Sequence, residues 1–193
     1  MNPVALIDMD GTLADYAGAM RRDLEVLQGP VDPGLHELEV LERTYPYMRA
    51  RMDMIKRQPD WWQGLEVLPE GFEVVSMLRK LDYKLHILTK GPKRNVDAWT
   101  QKAKWCQRWI PDAEITITLD KGLVYGRVLV DDWPDYIDAW LAHRPRGLVV
   151  MPNQPWNQGY RHPQVMRLVA QNHIDVQANR DSIFAKLADQ RNG

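Results

Sequence analysis

The sequence predicts an α/β fold: a doubly wound, mainly parallel sheet of five strands with a small helical cap inserted after the first strand. Short apolar runs alternate with segments of helical spacing, which is the pattern of parallel strands joined by right-handed crossover helices. One helix-rich stretch after the first strand is too long for a simple crossover and predicts an inserted subdomain. With 193 residues, the chain is long enough to bury one sizeable core and to carry such an insertion.

The first strand is predicted over residues 4–7, an unbroken apolar run that is typical of a strand buried on both faces. Asp8 and Asp10 follow this run, and Gly11 then allows a sharp turn without a Cβ penalty. Because ligands of open α/β sheets bind outside the carboxyl ends of the strands, the two carboxylates are the first candidate site residues.

The inserted stretch is predicted to be helical. Apolar residues recur at helical spacing over 16–28 and again over 35–54, and a Gly-Pro pair follows the first run. A loop that contains Pro, Asp and Trp then returns the chain to the regular α/β pattern. We therefore predict two domains, a helical cap at 16–68 and an α/β core at 1–15 and 69–193.

From Pro69 onward, helices and strands alternate regularly. In chain order the pattern predicts a helix at 69–81, a strand at 84–89, a helix at 93–109, strands at 114–118 and 127–131, a helix at 134–142 and a strand at 147–151. Five strands separated in this way form a Rossmann-like sheet. A closing helix is predicted at 181–190, and no element is assigned to 164–180.

Charge and cysteine content exclude several classes of function. The formal net charge is −1 and the sequence pI is about 6.5, so no electrostatic argument favours nucleic acid or a membrane surface as a partner. The one cysteine, Cys106, excludes an intramolecular disulfide and a cysteine cluster for zinc, which fits a cytoplasmic location. Cys106 lies in a Trp-rich stretch of helical spacing and is not predicted to be a nucleophile.

Polar side chains also follow three of the other predicted strands. Thr89 ends the second strand, Lys121 follows the third, and Asp131 and Asp132 end the fourth. Taken singly, such residues are typical of a helix cap, a solvated lysine and a turn before proline. Their order at the strand ends instead predicts one site shared with the carboxylates of the first strand.

This combination of carboxylates, a hydroxyl and a lysine suits phosphoryl transfer. Such a transfer leaves the protein mainly with positioning and charge stabilisation. One carboxylate can attack phosphorus, and a second can protonate the leaving group and then activate water. Mg²⁺ prefers octahedral oxygen ligands, so carboxylates from adjacent strand ends suit it as a cofactor.

The segment Asp-Met-Asp-Gly-Thr-Leu at 8–13, followed by the downstream residues in this order, resembles the motifs of the haloacid dehalogenase superfamily of phosphatases. The resemblance implies that Asp8 is the nucleophile and a Mg²⁺ ligand. It implies that the side chain of Asp10 is the general acid and base, while its backbone carbonyl binds the metal. Asp132 would complete the metal site, with Asp131 as a further ligand or as its partner.

The same resemblance assigns the phosphate-binding residues. Thr89 would bind the transferring phosphoryl group, and Lys121 would stabilise that group and the nucleophile. Lys90 stands where the narrower family described next often has a small hydroxyl residue, so Lys90 or Arg94 is expected to supply a phosphate contact as a charge. The alternative is that the basic loop at 90–95 is an ordinary solvated loop.

Within the superfamily, residues 3–159 resemble the 5′(3′)-deoxyribonucleotidase family, including its bacterial and phage members. The features that narrow the resemblance are Tyr16 and the segment 61–69, Trp-Trp-Gln-Gly-Leu-Glu-Val-Leu-Pro. The resemblance implies a nucleotide substrate, and Tyr16, Trp61 and Trp62 are candidate residues for stacking on its base. The alternative is that these rings only pack the cap against the core.

The sequence thus predicts a Mg²⁺-dependent phosphomonoesterase that dephosphorylates (deoxy)ribonucleoside monophosphates through an aspartyl-phosphate intermediate. One alternative substrate class is sugar phosphates or other small phosphomonoesters, and a second alternative is a non-catalytic nucleotide-binding module. The expected partner is a small-molecule phosphomonoester rather than nucleic acid or a membrane, and family analogy implies a homodimer. The sequence leaves the preferred base, sugar and phosphate position open.

Overall fold

A single parallel sheet forms the centre of the protein. In the computed structural model, which describes residues 2–192, the strands are β1 Val4–Ile7, β2 Lys84–Lys90, β3 Glu114–Thr118, β4 Val128–Val130, β5 Leu148–Pro152 and β6 Val165–Leu168. Their order across the sheet is β3-β2-β1-β4-β5-β6, and all five neighbouring pairs are parallel. The predicted α/β class and the Rossmann-like parallel sheet are confirmed.

The prediction of five strands is wrong, because the sheet has a sixth strand, β6, beside β5. This strand lies in the stretch to which the sequence analysis assigned no element. It has only four residues, and of these only Leu168 is fully buried, while Arg167 stands in its middle. So short and half-buried an edge strand shows neither a long apolar run nor a clear alternation, and its pairing with β5 defines it.

Seven α-helices connect the strands within residues 2–192: α1 Tyr16–Val26, α2 Leu38–Thr44, α3 Pro46–Ile55, α4 Pro69–Lys80, α5 Asp97–Trp109, α6 Pro134–Leu141 and α7 Val176–Asn192. A proline begins α3, α4 and α6, positions at which its missing N–H would have had no partner in the helix. The helical run predicted over 35–54 is divided at Pro46, as expected for a proline. None of these helices is both long and apolar enough to cross a membrane.

The two faces of the sheet carry separate apolar clusters. In β1, the side chains of Ala5 and Ile7 join one cluster, and Leu6 joins the other. Helices α4, α5 and α7 contribute to the first cluster, and α6 contributes Ile137 and Trp140 to the second. Because helices cover both faces, β4 and β5 are buried throughout and β1 is buried in all residues but Val4, which accounts for their unbroken apolar sequences.

Helices α1, α2 and α3 follow β1 and share a third apolar cluster. Its buried members are Ala17, Met20, Leu24, Leu38, Leu41, Met48, Met52 and Ile55. Asp15 caps α1, because its Oδ1 accepts a hydrogen bond from the backbone N–H of Gly18 at 2.8 Å. A separate cluster within these helices is the arrangement expected of an inserted cap, and the division into a cap at 16–68 and a core stays a prediction.

Candidate active site

The candidate site lies where β1, β2 and β4, which are adjacent in the sheet, end at the same edge. A cavity of about 1060 Å³ opens here between the sheet and the helices α1 to α3. The backbone N–H of Asp8 donates to the carbonyl of Val130 at 2.8 Å, which extends the pairing of β1 with β4 up to the site. The strand ends therefore bring Asp8 close to the aspartates that follow β4.

Lys121 joins two of these aspartates. It lies in a short 3₁₀ turn over Lys121–Leu123, and its Nζ is 2.6 Å from Asp8 Oδ1 and 2.7 Å from Asp131 Oδ2. Burial alone would lower the pKa of Lys121, but the carboxylates of Asp131 and Asp8 raise it above its ordinary value. Lys121 is therefore a buried ammonium ion that holds the carboxylate of Asp8 in place.

Asp8, Asp131 and Asp132 form a compact acidic cluster. One oxygen of each carboxylate lies within 4.8 Å of the others, and all three side chains are buried. Burial is the main factor that raises the pKa of Asp131 to about 7 and the pKa of Asp132 well above its usual range. Lys121 contacts two of these three side chains, so the fully ionised cluster would have two negative charges without compensation.

Three buried carboxyl groups beside one ammonium group provide oxygen ligands that fit a divalent cation such as Mg²⁺, whose charge favours their ionised form. Asp132 is held in place from two sides: Thr12 Oγ1 donates to Asp132 Oδ1 at 3.1 Å, and Trp156 Nε1 donates to Asp132 Oδ2 at 2.9 Å. The backbone N–H of Trp133 donates to Asp131 Oδ1 at 2.9 Å. The donor set therefore fits the predicted cofactor, and Asp8, Asp131 and Asp132 are the side chains that could hold it.

The side chain of Asp10 lies outside this cluster and pairs with Lys102. The Nζ of Lys102 contacts Asp10 Oδ2, and the other oxygen, Oδ1, has no hydrogen-bond partner among residues 2–192. Burial raises the pKa of Asp10, and the charge of Lys102 opposes this rise. Asp10 also lines the cavity. Its carboxyl group thus has one oxygen paired with Lys102 and one buried oxygen without a partner in the described part of the chain.

Thr89 and Lys90 lie at the end of β2, on the Lys102 side of the site. Thr89 is fully buried, and its Oγ1 accepts a hydrogen bond from Lys102 Nζ at 3.1 Å. Lys90 is exposed and lines the cavity, and its Nζ donates to the hydroxyl of Tyr136 at 2.7 Å. The structure thus brings Thr89 beside Asp10 through Lys102, while the Lys90 ammonium group is directed to Tyr136.

The aromatic residues of the cap stand in different positions relative to the cavity. Tyr16 and Trp62 line it and stack on each other, with ring centroids 5.5 Å apart and planes 25° apart. The Nζ of Lys102 lies 4.6 Å from the ring centroid of Trp62. Trp61 is not one of the lining residues, and its Nε1 donates to Asp23 Oδ2 at 2.6 Å. Trp61 therefore packs within the cap, whereas Tyr16 and Trp62 face the site.

Residues 2–180 match the family described as 5′ nucleotidase, deoxy (pyrimidine), cytosolic type C protein. The chain belongs to this nucleotidase family. The predicted resemblance to the deoxyribonucleotidases is thereby confirmed. The family is one of phosphoric monoester hydrolases, as the sequence analysis expected.

Individual relatives of the nucleotidase family agree with this result. The chain is 29% identical over 145 residues to the mitochondrial 5′(3′)-deoxyribonucleotidase of Mus musculus, and the matched region covers 69% of this chain and 66% of that protein. It is 26% identical over 138 residues to the cytosolic-type 5′(3′)-deoxyribonucleotidase of Homo sapiens, which covers 66% of this chain and 69% of that protein. The chain therefore spans about two thirds of the length of these relatives.

A solved structure shows that the fold is that of the haloacid dehalogenase hydrolases. A hydrolase of this family from Deinococcus radiodurans, crystallised with bound phosphate and sodium, superposes with a TM-score of 0.56. The alignment covers 98% of this chain and 96% of the other, at 14% identity. At 14% sequence identity, this similarity shows the fold alone.

Sequence reasoning missed Lys102, which the structure places in the candidate site. It lies in the middle of α5, not at a strand end, so the rule that located the other residues could not find it. A signal does exist: the buried residues of α5 are Ala98, Lys102, Trp105 and Cys106, which lie on one face at helical spacing. A lysine on an otherwise apolar face is rare without a charged partner, and this one has Asp10.

Cys106 is itself one of the buried residues of this face. Burial raises the pKa of its thiol to about 12, so the thiolate that nucleophilic attack requires is scarce at neutral pH. The structure therefore agrees with the expectation that Cys106 is not a nucleophile.

Proposed function

We propose that the protein is a Mg²⁺-dependent phosphatase of (deoxy)ribonucleoside monophosphates that works through an aspartyl-phosphate intermediate on Asp8. The observation that carries the proposal is the buried cluster of Asp8, Asp131 and Asp132 beside the ammonium group of Lys121. The carboxyl group of Asp10, which has one oxygen without a partner among residues 2–192, lies next to this cluster. A nucleophile, a cation site and an acid–base group are thereby present at one edge of the sheet.

In the first step, a carboxylate oxygen of Asp8 attacks phosphorus and the bond from phosphorus to the ester oxygen breaks. Asp10 gives its proton to the leaving ester oxygen, which departs as an alcohol. The bound Mg²⁺ would supply positive charge that reduces the repulsion between carboxylate and phosphate. Lys121 contributes to the same reduction through its contact with Asp8.

In the second step, Asp10 takes a proton from water, and the resulting hydroxide attacks the phosphorus of the aspartyl phosphate. The bond to the Asp8 oxygen breaks, inorganic phosphate is released and both aspartates return to their first state. Burial supports this role of Asp10, because it raises the pKa of the side chain toward the range in which a carboxyl group both gives and accepts protons. We assign the exchange to Oδ1 of Asp10, which is buried and has no hydrogen-bond partner among residues 2–192.

We assign the transferring phosphoryl group to the space between Asp8 and Asp10, with Thr89, Lys121 and Lys90 as its binding residues. Lys102 is added to this set, because its Nζ lies within hydrogen-bond distance of Thr89 Oγ1 and contacts Asp10. Lys90 reaches the phosphate only after a change of rotamer away from the Tyr136 hydroxyl. Arg94 remains the alternative source of that charge.

For the nucleobase we assign the wall that Tyr16 and Trp62 provide. Both residues line the cavity, whose volume of about 1060 Å³ is at the upper end of the range for small-molecule sites. The contacts of Trp61 within the cap make it a supporting residue for Tyr16, since the two rings meet edge to face at 5.6 Å. We therefore assign Trp61 only an indirect role in substrate binding, through its contact with Tyr16.

The proposal also includes the surroundings in which the enzyme acts. The partner is a small molecule, a nucleoside monophosphate, and neither nucleic acid nor a membrane is required. We propose a cytoplasmic location, which fits the cysteine content, and a homodimer, which family analogy favours. Size-exclusion chromatography with light scattering tests the dimer directly.

The proposed activity is tested by phosphate release from a panel of 5′- and 3′-nucleoside monophosphates, ribo and deoxy, together with sugar phosphates. Each reaction is run with Mg²⁺ and with EDTA. The Asp8→Asn variant is the blank, and Asp112→Asn, an exposed aspartate that pairs with Arg79, is the matched control. Release from nucleotides that depends on Mg²⁺ and on Asp8 supports the proposal. Release from sugar phosphates alone moves the substrate to that class, and no release from any compound supports a binding module.

A further inference from the structure

The turn after β5 contacts both carboxylate-bearing loops, although the proposed reaction does not use it. This turn, Gln154–Asn157, includes a short 3₁₀ segment at Pro155–Asn157. The side chain of Gln154 donates from Nε2 to the carbonyl of Gly11 at 2.7 Å. The turn therefore holds the loop after β1 at Gly11.

The turn also holds Asp132, at its side chain and at its backbone. Trp156 Nε1 donates to Asp132 Oδ2 at 2.9 Å, and Asn157 Nδ2 donates to the carbonyl of Asp132 at 2.8 Å. Thr12 takes the other carboxylate oxygen, Oδ1. Because Asp8 and Asp131 repel Asp132, its carboxylate would rotate away from them without such donors. Each carboxylate oxygen keeps a lone pair for a cation while it accepts one of these hydrogen bonds.

The indole ring of Trp156 has a second contact. The ring is half-buried and packs against the apolar cluster of helices α1 to α3. One side chain thus contacts the metal-ligating aspartate with its N–H and the cap with its ring. A change in how the cap lies on the core would therefore change the direction in which the N–H points.

The turn itself is fixed by the edge strand β6. Arg167 donates from one nitrogen to Asn157 Oδ1 at 2.9 Å and contacts the Asn157 carbonyl with another. Asn157 Oδ1 also accepts from the backbone N–H of Gln154 at 3.0 Å, and Asn157 Nδ2 donates to the Pro152 carbonyl at 2.9 Å. Asn157 is buried, so these bonds hold the turn in one conformation.

We propose that Trp156 is a positioning residue, which orients Asp132 for the divalent cation through its indole N–H and links that orientation to the seating of the cap. The inference rests on the proposed Mg²⁺ site. It extends the account from the residues that bind the cation to a residue that contacts one of them from the substrate side. Groups that orient metal ligands in this way typically contribute a factor of about 10 to 100 to metal affinity.

The test is the Trp156→Phe variant, which keeps an aromatic ring for the cap and removes the N–H. Trp109→Phe is the matched control, because Trp109 is a partly exposed tryptophan on α5 outside the cavity. The dissociation constant of Mg²⁺ is measured by calorimetry in the absence of substrate, so the readout does not depend on turnover. We expect Trp156→Phe to raise this constant about tenfold and to leave kcat at saturating Mg²⁺ within about threefold of the parent. Trp109→Phe should change neither.

A second measurement uses the parent protein and needs no variant to fold. In a ¹⁵N-labelled sample, the indole N–H signal of Trp156 should shift as Mg²⁺ is added and should saturate at the calorimetric dissociation constant. A Mg²⁺ affinity of Trp156→Phe within twofold of the parent, or an indole signal that does not move, overturns the proposal. If the parent binds Mg²⁺ but releases phosphate from no substrate, the proposed function fails while the role of Trp156 is still decided by these two readouts.

Discussion

The buried ammonium group of Lys102 contacts one carboxylate oxygen of Asp10 and leaves the other oxygen of that carboxyl group without a partner among residues 2–192. The contact joins helix α5 to the loop after β1. It gives the two aspartates of that loop different partners, since Asp8 pairs with Lys121 and Asp10 with Lys102. Two carboxylates that stand two residues apart are thereby placed in different electrostatic environments, which suits the different roles proposed for them.

Replacement of Lys102 should change the pH dependence of the reaction. The charge of Lys102 lowers the pKa of Asp10 against the effect of burial, so Lys102→Met removes the opposing charge and raises that pKa further. Asp10 must be deprotonated to activate water, and the acidic limb of the pH profile of kcat should therefore move to higher pH. The profile is measured by phosphate release, with the exposed Lys104→Met on the same helix as the control. Identical profiles for the parent and Lys102→Met would contradict this role.

Replacement of Asp10 should separate acid–base chemistry from metal binding. Asp10→Asn removes the group that gives and takes protons, and we expect kcat to fall by a factor of about 10² to 10⁴. Its side chain is not part of the cluster of Asp8, Asp131 and Asp132, so calorimetry should give a Mg²⁺ affinity within about threefold of the parent. Loss of Mg²⁺ binding together with activity would show that the Asp10 side chain belongs to the metal site instead.

Gly11 should be required for the metal site. Its φ is +76°, and a Cβ at this position would lie 2.5 Å from Asp132 Oδ2. Gly11→Ala should therefore displace Asp132 and weaken Mg²⁺ binding at least about tenfold. The measurement is the rise in melting temperature with added Mg²⁺. Gly159→Ala is the control, since a Cβ there meets no atom within 4 Å. An equal Mg²⁺-dependent rise in both variants would be the contrary result.

The aromatic residues should differ in their effect on nucleotides. Trp62 lines the cavity and Trp61 does not, so Trp62→Leu should raise KM for a nucleoside monophosphate about tenfold, in line with stacking energies of about 1–3 kcal/mol per base. KM for glycerol phosphate, which has no base, should change much less. Trp61→Leu should have the smaller effect on nucleotides. An equal rise for both substrates in Trp62→Leu would mean that the ring only packs the cap.

The parts of the site that could be predicted are those in which a functional residue comes directly after a recognisable strand in the sequence. Asp8, Asp10 and the pair Asp131 and Asp132 each follow an apolar strand directly, and the parallel sheet then brings strand ends together wherever the helices run. The order of these residues along the chain was enough to predict their meeting. The same argument located Thr89.

The parts that could not be predicted depend on contacts between distant segments. Lys102 is recognisable only when α5 is known to turn that face toward Asp10, and β6 is a strand only because β5 pairs with it. Trp156 and Asn157 stand in a polar loop whose sequence does not indicate that it reaches Asp132. Tertiary packing decides all three cases, and local pattern carries little information about it.

The most direct test of the proposed mechanism is to detect the covalent aspartyl-phosphate intermediate. Substrate labelled with ³²P in its phosphate is mixed with the enzyme and Mg²⁺, the reaction is stopped with acid within one turnover, and the labelled peptide is identified. We expect ³²P label on Asp8, no label in the absence of Mg²⁺, and no label in the Asp8→Asn variant, which should also have lost turnover. Label on another residue, or turnover by Asp8→Asn at a rate near that of the parent, would contradict the assignment of Asp8 as the nucleophile.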